Sequence, residues 1–403
     1  MAEKDRLRRI PELDGFRVLL VFIVSWYHIW QQSWLTPRVG NVSLDFLVRA
    51  GYMPVDGTIL LSGFLLFLPY ARHMLLGERM PSARGFYQRR IARIVPSYVF
   101  VTLLMLFAVA IPYQQFRTTG AMVKDVVMHL TFTQTFDRAT YNATPLGGAS
   151  WTVAIEMQMY LLFPWIARLA KKHPAGTMLG MTAISAYARS WFLWSRTEYS
   201  MVVNQLVSFL DVYALGMACA LLYVTLVKRW PALKHRRWWE CAATALLAIG
   251  IFLFVRVMRD QATSNGYDMI QAGQMVRRPA LAISLALVMT SLPFCVLPVR
   301  FLFGNRVMQW LAAISMNYYL LHQNVAVHLK LLRIPYSVYD NPNMQGDIDW
   351  QFRYTWLCFG VSLLLAVAVT LLIEKPCAAG LKRLFARVDR RRAEKSKACS
   401  KCE

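Results

Sequence analysis

The chain has 403 residues, of which 57 % are hydrophobic and 17 % charged, and its formal net charge is +23. A soluble protein carries about 25 % charged residues, and the apolar residues here fall in blocks long enough to cross a bilayer, which takes about 20 residues. The composition therefore excludes an ordinary soluble protein. Because basic residues accumulate in the cytoplasmic loops of membrane proteins and no nucleic-acid-binding motif accompanies them, we expect no nucleic-acid partner.

Ten apolar blocks predict an all-α polytopic membrane protein with about ten transmembrane helices. The blocks lie near residues 13–34, 54–74, 92–112, 151–170, 176–194, 204–227, 238–258, 279–298, 308–329 and 354–374. If both termini are cytoplasmic, the inner segments hold more than twice as many Lys and Arg as the outer ones, as the positive-inside rule requires. We predict a cytoplasmic N-terminus over 1–12, a transmembrane domain over 13–376 and a basic cytoplasmic tail over 377–403.

The first block, LDGFRVLLVFIVSWYH, carries three titratable side chains on one helical face. Arg17 and His28 are eleven residues apart, which is about three turns and about 16 Å of helix. Asp14 precedes Arg17 by three residues, the spacing of a helical ion pair. Ionisable groups inside a bilayer are costly unless paired or hydrated, so this stripe is a candidate functional site. A buried ion pair beside a hydrogen-bonded core histidine is the structural alternative.

The second block, VDGTILLSGFLL, has a carboxylate near its predicted outer end and a small-residue pair in mid-span. The role of Asp56 is left open by the sequence. Ser62 and Gly63 are typical of a tight helix-packing point, and packing is the expected role of Gly63.

Three arginines cluster where the third block begins. In the stretch FYQRRIARIVPSY they are Arg89, Arg90 and Arg93, at the predicted cytoplasmic mouth. They are either ordinary positive-inside charge or a clamp for an anionic donor, since the guanidinium suits phosphate geometry.

The fourth and ninth blocks place further titratable groups at a depth similar to that of His28. Glu156 follows Trp151 in SWTVAIEMQMYLLFP and has no cationic residue close to it in the sequence, so it needs a partner from another helix. His322, in ISMNYYLLHQNV, lies about 21 Å from the cytoplasmic start of its helix. Two histidines and a carboxylate at one depth are typical of a general-base site, but their lateral proximity does not follow from the sequence.

Two shorter features complete the chain. The segment 121–136 is too short and too polar for a span, and we expect an interfacial or re-entrant piece. The tail ends in Cys399 and Cys402, a C-x-x-C pair that could bind metal or undergo redox chemistry. No second pair completes a zinc site, so we expect a solvated tail and no metal site.

These motifs together resemble the acyltransferase 3 family of integral-membrane acyltransferases. The Arg-x10-His spacing of Arg17 and His28 is similar to the family's first-helix motif. Later stretches resemble its second helix, its F-x-x-R-R-x-x-R-x-x-P-x-Y segment, its SW-x-x-x-x-E-x-Q-x-Y segment and its last two spans. Two departures stand out. Thr58-Ile59 replaces a Phe pair after Asp56, and Met157 stands where a second Glu is common.

The resemblance implies transfer of an acyl group, most often acetyl, from acyl-coenzyme A to a hydroxyl of a carbohydrate or another cell-envelope acceptor. It implies His28 as the catalytic histidine, Arg17 as its essential partner, and Arg89, Arg90 and Arg93 as the basic group that meets the coenzyme. We further expect Glu156 and His322 to assist His28. Acyl-CoA, membrane lipid and the acceptor are the expected partners, with no tightly bound cofactor, in a bacterial plasma membrane.

Two other classes remain open at this point. A transporter or flippase of an envelope precursor could also have ten spans with buried charges, although it often shows inverted repeats or broken helices, which the sequence lacks. An inactive scaffold is disfavoured by the intact Arg17 and His28.

Overall fold

The structure is a computed structural model that describes residues 9–141, 143–195, 198–233 and 237–399. The longer helices are, in chain order, α1 (Glu12–Ser33), α3 (Val55–Leu76), α4 (Ala83–Met105), α5 (Thr119–Leu130), α7 (Trp151–Lys172), α8 (Pro174–Ser195), α10 (Leu210–Leu233), α11 (Arg237–Ala262), α12 (Tyr267–Ser291), α13 (Leu297–Gly304), α14 (Arg306–Leu331), α15 (Ile348–Val369) and α16 (Lys375–Cys399). The short helices are α2 (Asp45–Arg49), α6 (Arg138–Tyr141) and α9 (Tyr199–Val202).

Tighter and wider turns extend several of these helices. The π-helical turns are Leu106–Ala110 and Thr370–Glu374, and the 3-10 turns are Gln134–Phe136, Gly148–Ser150, Leu206–Phe209 and Leu292–Phe294. The described strands form one antiparallel hairpin, in which β1 (Arg38–Val39) pairs with β2 (Val42–Ser43).

The all-α membrane fold is confirmed, and each predicted block overlaps a long helix. Among the described residues, seven helical stretches are long and apolar enough to cross a membrane. Three others, α7, α8 and α14, fall outside that set. Polar side chains such as Glu156 and His322 dilute the apolar character of α7 and α14. The number of ten crossings and the side of each terminus therefore stay predictions.

Several helices begin earlier than the predicted apolar blocks, because hydropathy does not register polar helical turns. Helix α4 begins at Ala83 rather than near residue 92, and the Ser82 hydroxyl caps it by accepting from the Gly85 amide at 3.1 Å. The segment 121–136 overlaps the 12-residue helix α5, which is about 18 Å long and too short to span a bilayer.

Helices α3 and α10 have the most extensive contact of any helix pair in the described part of the chain, and glycines permit their close approach. A Cβ on Gly63 would lie 2.7 Å from the Tyr213 carbonyl oxygen, and one on Gly216 would collide with the Leu60 carbonyl. The predicted packing role of Gly63 is therefore confirmed. Helix α1 packs between α3, α13 and α14, while α14 also packs on α15, which brings the polar stripe of α1 to the centre of the bundle.

One end of the bundle collects the starts of α1, α4 and α16, and we refer to it as the basic end. Glu12 accepts from Arg300 at 3.2 Å, which ties α1 to α13. Helix α16 continues α15 through the π-helical turn and packs on α4. There Asp389 accepts from Gln88 at 3.2 Å and pairs with Arg84.

Candidate active site

Two histidines predicted at equal depth lie side by side between α1 and α14. The ring centroids of His28 and His322 are 5.2 Å apart. His322 is fully buried, and its Nδ1 donates to the Tyr319 carbonyl at 2.7 Å. Within the described part of the chain, its Nε2 has no hydrogen-bond partner. The two histidines, whose lateral proximity the sequence could not predict, therefore lie next to each other.

A short hydrogen-bonded chain along α1 fixes the ring of His28. The Gln31 amide nitrogen donates to the Tyr27 hydroxyl at 2.9 Å, which leaves the amide oxygen to accept from Nδ1 of His28 at 3.1 Å. With the proton on Nδ1, the half-buried imidazole keeps the lone pair of Nε2. This is the tautomer that a general base needs.

A polar cavity of about 140 Å³ extends from the basic end into the bundle between α1, α3, α4, α7 and α14. Its charged lining residues are Arg17, Arg90, Arg93 and Glu156, and Ser62 and Tyr319 also line it. Three cations and one carboxylate give the cavity an excess of positive charge. Such a cavity is suited to an anionic ligand.

The arginines predicted as one clamp occupy different positions. Arg93 is exposed where it meets the cavity, and Arg90 lies with its guanidinium carbon 5.2 Å from the centroid of the Tyr160 ring. Arg89 is exposed and is not among the lining residues. Among the described residues, none of Arg17, Arg90 and Arg93 forms an ion pair, so their charge is free for a ligand.

Glu156 belongs to the cavity and not to the histidine pair. Its carboxylate accepts from the Tyr160 hydroxyl at 2.9 Å. Neither histidine is among the described residues that line the cavity. Tyr319 connects the two groups, since it lines the cavity and its ring centroid lies 5.3 Å from that of His322.

The ion pair predicted between Asp14 and Arg17 is wrong. Asp14 pairs with Arg9 at 3.3 Å, because Arg9 precedes the helix and can fold back over its first turn. Arg17 points into the cavity instead, which separates it from its expected partner.

Asp56 belongs to a network of four buried charges, which we call the charge network. It accepts from Arg278 at 3.0 Å, and both side chains are fully buried. Arg189 makes a bidentate pair with Asp211 at 2.8 and 2.6 Å. The Ser208 carbonyl accepts from Arg189 at 2.8 Å and from Arg278 at 3.1 Å, which joins the two pairs.

Trp151 lies beside this network rather than in the cavity. Its ring stacks on Phe209 with centroids 6.3 Å apart, and the guanidinium carbon of Arg278 lies 3.8 Å from the centroid of the same Phe209 ring. A packing role follows for Trp151. The C-x-x-C pair cannot be placed, because Cys402 and the side chain of Cys399 lie outside the described residues. Among the residues that are described, no group of three metal-ligating side chains occurs.

Comparison with known proteins decides the family. Residues 10–374 match the family model described as "Acyltransferase domain" of acyltransferase 3. The chain belongs to the acyltransferase 3 family. It is 24 % identical over 397 residues to acyltransferase MdmB of Streptomyces mycarofaciens, with 92 % of each chain covered. It is 27 % identical over 168 residues to O-acetyltransferase OatA of Staphylococcus aureus, covering 40 % of this chain and 25 % of OatA. No solved structure matches.

The predicted enzyme class is thus confirmed, and the protein is an acyltransferase. Sequence reasoning missed Gln31, which orients His28, and Tyr319 beside the histidines. It also missed Arg189, Asp211 and Arg278 in the charge network. Arg189 and Asp211 lie inside apolar blocks, so the rule that singled out Glu156 would have found them. Arg278 immediately precedes a block, and nothing in the sequence singles out Tyr319.

Proposed function

We propose that this acyltransferase moves an acyl group from acyl-CoA to a hydroxyl of a carbohydrate or other cell-envelope acceptor, with His28 as the general base. We place it in the bacterial plasma membrane with both termini in the cytoplasm, so that the basic end faces the CoA pool. The observation that carries the proposal is the Gln31 hydrogen bond, which leaves Nε2 of His28 free to take a proton.

The donor would bind by charge at the basic end. Coenzyme A carries several phosphate charges, and Arg93 and Arg90 line the cavity without ion-pair partners among the described residues. Arg17, deeper in the same cavity, would hold the polar arm of the donor. Arg89 is exposed near the mouth and would add only long-range attraction.

The transfer would begin with removal of a proton from the acceptor and end with release of the free coenzyme thiol. Nε2 of His28 removes the proton of the acceptor hydroxyl, and the oxygen attacks the thioester carbonyl carbon. A C–O bond forms as the C–S bond breaks, and the proton ends on the coenzyme thiol. An acyl-histidine intermediate is the alternative route. His322, whose ring lies beside that of His28, would support this step directly. Glu156 would act from the cavity, on the other side of Tyr319.

Family membership favours this reaction over transport, the second class left open by the sequence. A flippase would need no thioester. Release of free coenzyme A therefore separates the two classes.

The test measures thiol release by purified protein in detergent, with acetyl-CoA and a panel of hydroxyl acceptors. General-base catalysis contributes about 10²- to 10⁴-fold, so His28→Ala should lose activity by that factor. His328→Ala is the matched control, because His328 lies on α14 and its Nδ1 also donates to a main-chain carbonyl, that of Asn324, at 2.7 Å.

The control variant should keep wild-type activity. Equal turnover of a known acceptor by wild type and His28→Ala, with both proteins folded, would show that His28 is structural and would overturn the mechanism.

A further inference from the structure

A second concavity lies on the other face of α7, between α4 and the start of α10, and we call it the lateral cleft. It has a volume of about 860 Å³, within the range of small-molecule sites, about 300–1,000 Å³. Apolar side chains dominate its lining, including Ile91, Phe132, Leu161, Leu206 and Val207. Nothing in the proposed reaction so far uses it.

A single layer of side chains separates the lateral cleft from the polar cavity. Arg90 and Tyr160 line both spaces, with the guanidinium carbon of Arg90 5.2 Å from the Tyr160 ring centroid. On α7, Glu156 faces the cavity while Met157, the next residue, faces the cleft. A ligand could thus enter both spaces by displacing one arginine side chain.

Charge and volume divide such a ligand into two parts. The cavity has about 140 Å³ and an excess of positive charge, so it suits a short polar and anionic part. The cleft is six times larger, and Arg90 is the one charged side chain among the described residues that line it. The part that enters the cleft must therefore be uncharged, apolar and bulky.

We propose that the lateral cleft binds the hydrocarbon chain of a medium- or long-chain acyl donor, which passes between Arg90 and Tyr160 while the thioester lies at the Tyr319 side of the cavity, next to the histidines. This inference rests on the proposed function, in which acyl-CoA is the donor. It makes the enzyme a transferase for acyl groups well beyond acetyl. Each methylene buried in the cleft should tighten binding up to about fourfold.

The first experiment measures the affinity of the full chain, in detergent, for acetyl-, butyryl-, hexanoyl- and octanoyl-CoA. Affinity should rise with each added pair of carbons and exceed that of acetyl-CoA by about 50-fold or more at octanoyl. Leu161→Trp, at an exposed position in the cleft, should remove most of that gain and leave acetyl-CoA binding unchanged. Leu169→Trp is the matched control, since Leu169 is exposed on the same helix and lies outside the cleft.

The outcomes separate the two proposals. Binding of acetyl-CoA without any gain for octanoyl-CoA would overturn the cleft proposal and leave the proposed function standing. A gain that survives Leu161→Trp would place the chain elsewhere. Failure of every CoA thioester to bind would overturn the proposed donor and this inference with it.

A second experiment tests whether the cleft holds bilayer lipid instead. An octanoyl-CoA analogue with a photoactivatable diazirine at the chain end should label residues of α7 or the turn Leu206–Phe209, and excess coenzyme A should suppress that labelling. Equal labelling by a diazirine-bearing phosphatidylcholine, unaffected by coenzyme A, would assign the cleft to membrane lipid and overturn the proposal.

Discussion

Two regions of this acyltransferase contain arginine inside an apolar bundle. In one region the arginines are paired with carboxylates, and in the other they are not. In the charge network, Arg278 and Arg189 each meet a buried aspartate. In the polar cavity, Arg17 and Arg90 have no ion pair among the described residues, and the one lining carboxylate, Glu156, accepts from a tyrosine.

The difference distinguishes charge that holds the fold from charge that awaits a ligand. Two arginines and two aspartates make the network neutral. The Ser208 carbonyl accepts from both arginines and so links the turn before α10 to the helices that carry them. The cavity keeps a net positive charge and opens at Arg93. Substitutions in the first region should therefore act on stability, and those in the second on turnover.

The largest effect on stability is expected when one partner of an ion pair in the charge network is removed. Asp56→Ala leaves Arg278 buried without its carboxylate, which should lower the free energy of unfolding by about 3–5 kcal/mol. Thermal unfolding in detergent measures the loss. The double substitution Asp56→Leu with Arg278→Met should recover much of it, because no charge is then stranded.

The control for that comparison is Asp349→Ala, which removes an exposed i,i+4 pair with Arg353. It should hardly move the unfolding temperature. A similar small shift for Asp56→Ala would mean that the network is not a structural element.

An intermediate effect of the opposite kind is expected in the cavity. Arg17→Gln should cost about 100-fold in acyl transfer, or about 2.7 kcal/mol of transition-state stabilisation, at an unchanged unfolding temperature. Arg9→Gln, which removes the exposed partner of Asp14, should change neither quantity. If Arg17→Gln unfolds as readily as Asp56→Ala, the distinction between the two regions fails.

The smallest effect is expected at the exposed contact between α16 and α4. Asp389→Ala removes the pair with Arg84 and the acceptor of Gln88, and exposed pairs contribute less than about 1 kcal/mol. The unfolding temperature of Asp389→Ala should fall far less than that of Asp56→Ala. A shift of equal size would show that the tail helix is an integral part of the fold.

The sequence could predict whatever depends on residues close together in the chain. Apolar blocks predicted the long helices, and helical spacing put Arg17 and His28 on one face. The sequence could not predict which residues of distant segments form ion pairs, since Asp56 and Arg278, for example, are separated by 222 positions. Even the local pair of Asp14 failed, because Arg9 lies outside the helical periodicity on which the prediction relied.

The sequence could predict which residues belong to the candidate site, but not that the structure separates them into a cavity group and a histidine pair. Equal depth on separate helices suggested one constellation of His28, His322 and Glu156. The rotation of each helix about its axis, which the sequence does not specify, placed the carboxylate in the cavity and the histidines beyond Tyr319.

The uninterrupted helical stretch Ile348–Arg391 has 44 residues, which corresponds to about 66 Å, roughly twice the thickness of the hydrocarbon layer. Its last part must therefore project into water beside the cavity mouth, and between residues 375 and 391 it carries six cations and one carboxylate. Under the proposed function, this projecting helix would extend the positive electrostatic field outward and attract an anionic donor before it reaches the mouth. The frequency of productive encounters should accordingly decline as ionic strength rises and the Debye length contracts toward about 8 Å at physiological salt.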